Sequence, residues 1–234
     1  MREIYRESVF LVVVFICTCT SGVLSSLYAW NNQTDGVVIA DLFHKLLPDI
    51  SDVFSFPNVI FPLQYVLALI FIKDERFQRV AQFVFLNCVV LTLRSVSITL
   101  TVLPNAVTKD FCSKRPDNVF EIIEYIFTHG TCGDFCFSGH TTTSMLTYLT
   151  VMKYSKNTVQ KALQLFLLVV MVFVLLSMRW HYSIDCFVAL LLSYLIFDKY
   201  YHEEDEKVYY FNSCSKKRRK RILSEDRGIY DGDL

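Results

Sequence analysis

The chain has 234 residues, 53% of them apolar and 15% aromatic, and a mean hydropathy of +0.36. It is more apolar than an average soluble domain, so it reads as a membrane protein with no sign of a nucleic-acid partner. The formal net charge is zero, but KKRRKR, from Lys216 to Arg221, gathers basic residues into what reads as a solvated tail.

Runs apolar enough to cross about 30 Å of hydrocarbon recur six times: Val9–Tyr28, Pro57–Ile72, Val80–Leu103, Phe137–Tyr154, Ala162–Met178 and Tyr182–Tyr200. The expected fold class is all-α, a polytopic membrane protein with a bundle of six transmembrane helices. Its expected division is a cytosolic N-terminus over 1–8, a six-span domain over 9–201 and a cytosolic polybasic tail over 202–234. The first run also has the basic start, apolar core and small residues (Ser21, Gly22) of a signal peptide. Its apolar character persists to Tyr28, which favours a retained helix.

Basic connections stay on the cytosolic side. The connection KDERFQR carries three basic residues, and the link around Lys153, Lys156 and Lys161 carries three more. With the tail and the N-terminal Arg2 and Arg6 they fall on one side under a six-span topology. The connections holding Asp49 and Cys132 then lie on the lumenal or extracellular side. Lys109, Lys114 and Arg115 in the latter run against this bias without outweighing it.

Of eight cysteines, Cys17, Cys19, Cys88 and Cys186 lie in the apolar runs and read as small buried side chains. Cys214, beside the basic block, is either a palmitoylation site or an inert thiol. Cys112, Cys132 and Cys136 sit in or at the edge of the lumenal connection, where oxidation is expected. The expected disulfide joins Cys112 to Cys132, closing a loop of about twenty residues for about 3 kcal/mol in the chain-entropy model, with Cys136 free. His129 and His140 flank Cys132 and Cys136 as a metal set would, but lumenal thiols favour pairing, and no metal is expected.

Two polar clusters interrupt the apolar chain. CGDFCFSGHTTTS, residues 132–144, straddles the lumenal start of the fourth run, with His140 about one turn inside. RWHYSID, residues 179–185, opens the sixth run at the same side. His181 and Asp185 are four apart and share a helix face. A carboxylate there takes the proton on one imidazole nitrogen, fixes the tautomer and leaves the other nitrogen as a nucleophile. Two histidines, one oriented by an acid, are the parts that phosphoryl transfer through a phosphohistidine needs. The competing reading is a wet capping histidine at an interface. Arg94, about 14 Å from Leu103 at 1.5 Å per residue, is either a structural hydrogen-bonding residue or the positive wall of a phosphate chamber. Ser97, Thr99 and Thr101 on the same run read as satisfied hydroxyls.

CGDFCFSGHT and HYSID resemble the two signature motifs of the sphingomyelin synthase family, a branch of the lipid phosphate phosphatase (PAP2) superfamily. LLPD at 46–49 and RSVSITLTVLP at 94–104 resemble its first-loop and third-span motifs. The four occur in the family's order, so the resemblance covers about residues 9–201. It implies a six-span enzyme that moves phosphocholine or phosphoethanolamine from a glycerophospholipid donor to a ceramide acceptor and releases diacylglycerol. By the same resemblance His181, held by Asp185, is the nucleophile and His140 the acid and base, with Arg94, Asp134 and Ser138 around the substrate and no cofactor. Asp134 reads equally as a cap of the fourth helix. Trp180 stands where animal members carry an acidic residue implicated in head-group choice, so the head group stays open. The resemblance places the protein in a Golgi or plasma membrane. The alternatives are a lipid phosphate phosphatase, whose Lys and Arg-Pro motif KDFCSKRP at 109–116 resembles, and a non-catalytic membrane scaffold.

Overall fold

Each of the six apolar runs is helical over most of its described residues, and local chemistry sets several of the helix ends. The computed structural model describes residues 2–32, 39–50, 56–71, 76–104, 120–121 and 136–202. In chain order the helices are α1 (Arg2–Asn32), α2 (Leu42–Leu46), α3 (Phe56–Phe71), α4 (Arg76–Leu100), α5 (Gly139–Tyr154), α6 (Thr158–Ser177) and α7, over residues 183–202. Three stretches are long and apolar enough to cross a membrane, Ser8–Asn32, Gln78–Leu100 and Thr158–Ser177, and Phe56–Ile70 is a shorter apolar helix. The large apolar side chains left bare on α1 and α6, such as Phe10, Phe15, Phe166 and Phe173, suit a hydrocarbon surrounding.

The ends explain the departures from the expected runs. The third was expected to reach Leu103, but α4 ends at Leu100, with a last helical bond from Thr101 N–H to the Ser97 carbonyl at 2.9 Å. Pro104 disfavours helical backbone at the residue before it, so the chain leaves the helix early. Arg94 is therefore six residues from the helix end, about 9 Å rather than 14 Å. The short α2 was not anticipated. Asp41 caps it by accepting from the Phe43 and His44 N–H groups at 2.9 and 3.2 Å, and Leu47, which precedes Pro48, is already extended.

In α3, Pro57 lies in the first turn, where its missing N–H costs nothing, but Pro62 is interior. Pro62 cannot donate to the Asn58 carbonyl four residues back. α6 ends in a Schellman motif: Trp180 N–H reaches the Leu175 carbonyl at 3.1 Å and Arg179 N–H the Leu176 carbonyl at 3.2 Å. Arg179 adopts φ 56°, the left-handed conformation that glycine usually takes at this position. The accompanying apolar contact is Trp180 against the cluster of Met171, Leu175, Leu176 and Cys186.

α1 packs on α4, α4 on α5, and α3 against both α5 and α6. Small and hydroxyl residues line these seams, as expected where lipid offers no hydrophobic drive between helices. Thr18 Oγ1 meets Thr92 Oγ1 at 3.1 Å and Ser21 Oγ meets Ser95 Oγ at 3.4 Å between α1 and α4. Gln64 of α3 is 1% exposed and joins two neighbours: its amide donates to the Ser144 carbonyl at 3.2 Å and its Oε1 accepts from Ser144 Oγ at 2.5 Å, while Gln164 donates to the Gln64 carbonyl at 3.1 Å. This clamp fixes how α3 is rotated and seated against α5 and α6. By compactness a second unit begins at Leu195, and within its described part, residues 195–202, the Phe197 and Tyr201 rings lie 4.5 Å apart.

Candidate active site

The turn ahead of α5 is built to hold His140 in its first helical turn. Ser138 is fully buried, and its hydroxyl caps α5 by accepting from Thr141 N–H at 3.2 Å. Phe137, just before it, is buried and adopts φ 49°. A bulky side chain in left-handed backbone costs about 1 kcal/mol or more, and its burial together with a contact from α4 holds it there. That contact is Arg94, whose Nε donates to the Phe137 carbonyl at 2.8 Å and whose side chain lies beside Gly139. Arg94 thus braces the signature turn from α4 and brings its guanidinium to it. The imidazole Nε2 of His140 lies 3.1 Å from Oδ1 of Asn58 on α3.

The second histidine stands one residue ahead of the cap of α7. Asp185 Oδ2 accepts the Tyr182 backbone N–H at 2.9 Å, which is the reciprocal half of a capping box with Tyr182 at the cap and Asp185 three residues inside. The same oxygen lies 3.7 Å from Nδ1 of His181, and the pair is 6% and 3% exposed. That separation is slightly longer than a hydrogen bond. Asp185 therefore does both jobs that its spacing allows: it caps α7 and faces the imidazole.

The two histidine turns are tied together. Ser138 N–H donates to the Asp185 carbonyl at 3.3 Å, and Thr141 Oγ1 meets Cys186 Sγ at 3.6 Å. The Trp180 ring, adjacent to His181 in sequence, lies 6.0 Å from the His140 ring. The N-termini of α5 and α7 thus open at one end, and helix N-termini favour anionic groups through their exposed N–H groups and dipoles.

A strap from residues 39–50 braces the second turn. Asp41 Oδ2 accepts from the Ser183 N–H at 2.7 Å and from the Ser183 hydroxyl at the start of α7. His44 Nε2 donates to the His181 carbonyl at 2.9 Å and its ring stacks on Tyr182 at 5.5 Å. Tyr182 Oη accepts from Ile39 N–H at 3.3 Å and donates to the Pro104 carbonyl at 3.1 Å, which gathers the strap and the end of α4 at α7. Arg179 donates to the Leu47 carbonyl at 3.2 Å and approaches Asp49 at 3.7 Å, and Ile50 N–H reaches the Ser177 carbonyl at 3.0 Å. Burial alone would raise the Asp41 carboxyl, but the Ser183 hydroxyl and N–H, with the His44 N–H and ring behind them, hold it below its ordinary value.

Cys136 is a free thiol beside the first turn. Burial first, and the Asp185 carboxylate second, push its thiol up, against the opposing pull of Arg94. A thiol held protonated is a poor nucleophile. Of the expected site residues, the structure brings together His140, His181, Asp185, Arg94 and Ser138. Asp134 and the Cys112 to Cys132 disulfide lie outside the described residues, as do His129 and the KKRRKR tail. Sequence reasoning missed Asn58, Asp41 and His44. The available signal was polar residues stranded near apolar runs: Asn58 just inside one, and Asp41 and His44 upstream of the LLPD motif.

Residues 131–203 match the family model of the PAP2 superfamily C-terminal domain. The match covers both histidine turns and supports placement in the PAP2 superfamily, whose chemistry is that of lipid phosphatases and phosphotransferases. No curated protein matches the chain.

Proposed function

We propose that this protein is a six-span membrane transferase that carries a phospho-head group from a glycerophospholipid to ceramide through a phosphohistidine on His181. The observation that carries the reading is the buried His181 and Asp185 pair, 3.7 Å apart, set at the same helix-terminal opening as His140. With Nδ1 facing the carboxylate, Nε2 of His181 attacks the donor phosphorus. The bond to the diacylglycerol oxygen breaks, and a protonated His140 delivers its proton to that oxygen. His140, now neutral, removes the proton from the primary hydroxyl of ceramide. The freed oxygen attacks the phosphorus and the phosphorus–nitrogen bond breaks, restoring both histidines. Diacylglycerol carries the first proton away and His140 recovers one from ceramide, so the cycle balances.

Arg94 and the N-termini of α5 and α7 supply the positive surroundings for the transferred phosphate, with Asp134 a further site carboxylate. Ser138 acts through the turn it caps. In this reading residues 9–201 form the catalytic domain, the site faces the lumen or exterior of a Golgi or plasma membrane, and the termini are cytosolic. The Cys112 to Cys132 disulfide closes the lumenal connection.

The test supplies the full-length protein in vesicles with labelled phosphatidylcholine or phosphatidylethanolamine, with and without ceramide. A sphingolipid bearing the donor's head group, formed only with ceramide, is the expected product. Release of inorganic phosphate from phosphatidic acid, indifferent to ceramide, assigns the protein to the lipid phosphate phosphatases of the same superfamily instead. Absence of either product from every donor leaves a non-catalytic scaffold.

A further inference from the structure

The geometry points to Asn58 as the positioning residue of His140, the group that fixes which imidazole nitrogen carries the cycling proton. This inference rests on the proposed role of His140 as acid and base. Its Nε2 lies 3.1 Å from Asn58 Oδ1, a hydrogen-bond distance, across 82 residues of sequence. An amide oxygen only accepts, so Nε2 is the protonated nitrogen and the neutral ring keeps its lone pair on Nδ1. When His140 is charged, Nδ1 gains the second proton while the Nε2 bond to Asn58 persists. One nitrogen is thereby held and the other exchanges protons with the substrate oxygens.

The placement of Asn58 is not incidental to a loose helix. Gln64, six residues further along α3, is locked to Ser144 of α5 and bonded by Gln164 of α6, so the rotation of α3 that presents Asn58 is fixed in the buried interior. Ser144 is one turn beyond His140 on α5, so the same pair of helices is joined at both levels. Pro62 lies between the two contacts, and the helix passes it without losing either.

The choice of an amide has a chemical consequence. His181 faces a carboxylate, which favours its cationic form as phosphorus bonds to it. His140 faces a neutral oxygen, which orients the ring without locking a proton onto it, and an acid that must become a base within one cycle needs that freedom. Among the described residues, the other titratable groups at this turn are Arg94 from α4, His181 and Asp185 at the start of α7, and Cys136 from its own segment. The sequence of α3 contributes no charged residue.

The experiment is nitrogen NMR of the full-length protein, labelled at its histidines and held in lipid nanodiscs, with the His140 signal identified by its loss in His140→Gln. Wild type is expected to show the neutral ring protonated at Nε2. Asn58→Ala should give a mixture of tautomers. Asn58→Asp, nearly the same shape, should raise the titration of His140 by about one pH unit or more, because the new carboxylate favours the cation. In the transfer assay, the alkaline fall of kcat/KM, which reports loss of the protonated acid, should move up by the same amount in Asn58→Asp. Unchanged tautomer and titration in both variants, with wild-type thermal melting, overturn the inference. Should neither variant fold, a wild-type ring protonated at Nδ1 overturns it alone. If the NMR shifts appear while the wild type transfers nothing to ceramide, the functional reading fails and the role of Asn58 stands.

Discussion

Replacing Asp185 by asparagine separates the two tasks that one carboxylate performs. The carboxylate is 3% exposed, accepts the Tyr182 N–H at 2.9 Å and stands 3.7 Å from His181 Nδ1. An asparagine keeps an oxygen for the Tyr182 N–H, so the cap of α7 survives. What it removes is the charge facing the imidazole as phosphorus bonds to Nε2 and the ring becomes cationic. At this separation and an effective dielectric of about 20, that interaction is about 4 kcal/mol, or about a thousandfold in rate. The assay is single-turnover release of diacylglycerol from labelled donor in vesicles, beside the thermal melt of the same preparation. Asp185→Asn should be slower by about three orders of magnitude and melt close to wild type. Asp185→Ala should be as slow and also lose about 1 kcal/mol of stability, the usual worth of a helix cap. An asparagine variant that keeps more than about a tenth of the wild-type rate refutes the carboxylate's role toward His181 and leaves Asp185 a structural cap.

His181→Ala should abolish diacylglycerol release as well as transfer, since no phosphoenzyme can form. His140→Ala should fall by about two to four orders of magnitude, the usual worth of a general acid, and near-normal ceramide-dependent transfer by either variant defeats the two-histidine cycle. Asp41 ties pH to the strap: its folded carboxyl titrates lower than the ordinary carboxylate, so its stabilisation is complete above about pH 4 and is lost as pH falls through the depressed value. The melting temperature of wild type should therefore exceed that of Asp41→Asn at neutral pH, and the gap should close on acidification. A gap independent of pH means that the Asp41 contacts with Ser183 do not depend on its charge.

What the sequence determined by itself is what local spacing encodes. Apolar runs long enough for lipid had to be helices, because backbone groups in such surroundings must be satisfied within the segment. His181 and Asp185 could be paired on paper because four residues bring two side chains to one helix face. Their shared turn with Tyr182 also follows from short-range geometry. Pro104 likewise contains the reason α4 stops at Leu100, although the apolar run continues to Leu103. Arg179 was less legible, since its left-handed turn is normally marked by glycine and here is held by Trp180 packing on the α6 cluster and by the Leu47 carbonyl. Tertiary structure alone decided the partners of the other polar groups. Asn58 lies 82 residues from His140, and Asp41 lies 142 from Ser183. A single asparagine in an apolar run carries no periodicity that names its partner. Which helices pack, and with what rotation, follows from the summed fit of many weak contacts, including the Gln64, Ser144 and Gln164 clamp, and no one residue encodes it. The same holds for Arg94, whose two sequence readings as brace or phosphate wall rested on depth alone, until the packing of α4 on α5 set its Nε 2.8 Å from the Phe137 carbonyl.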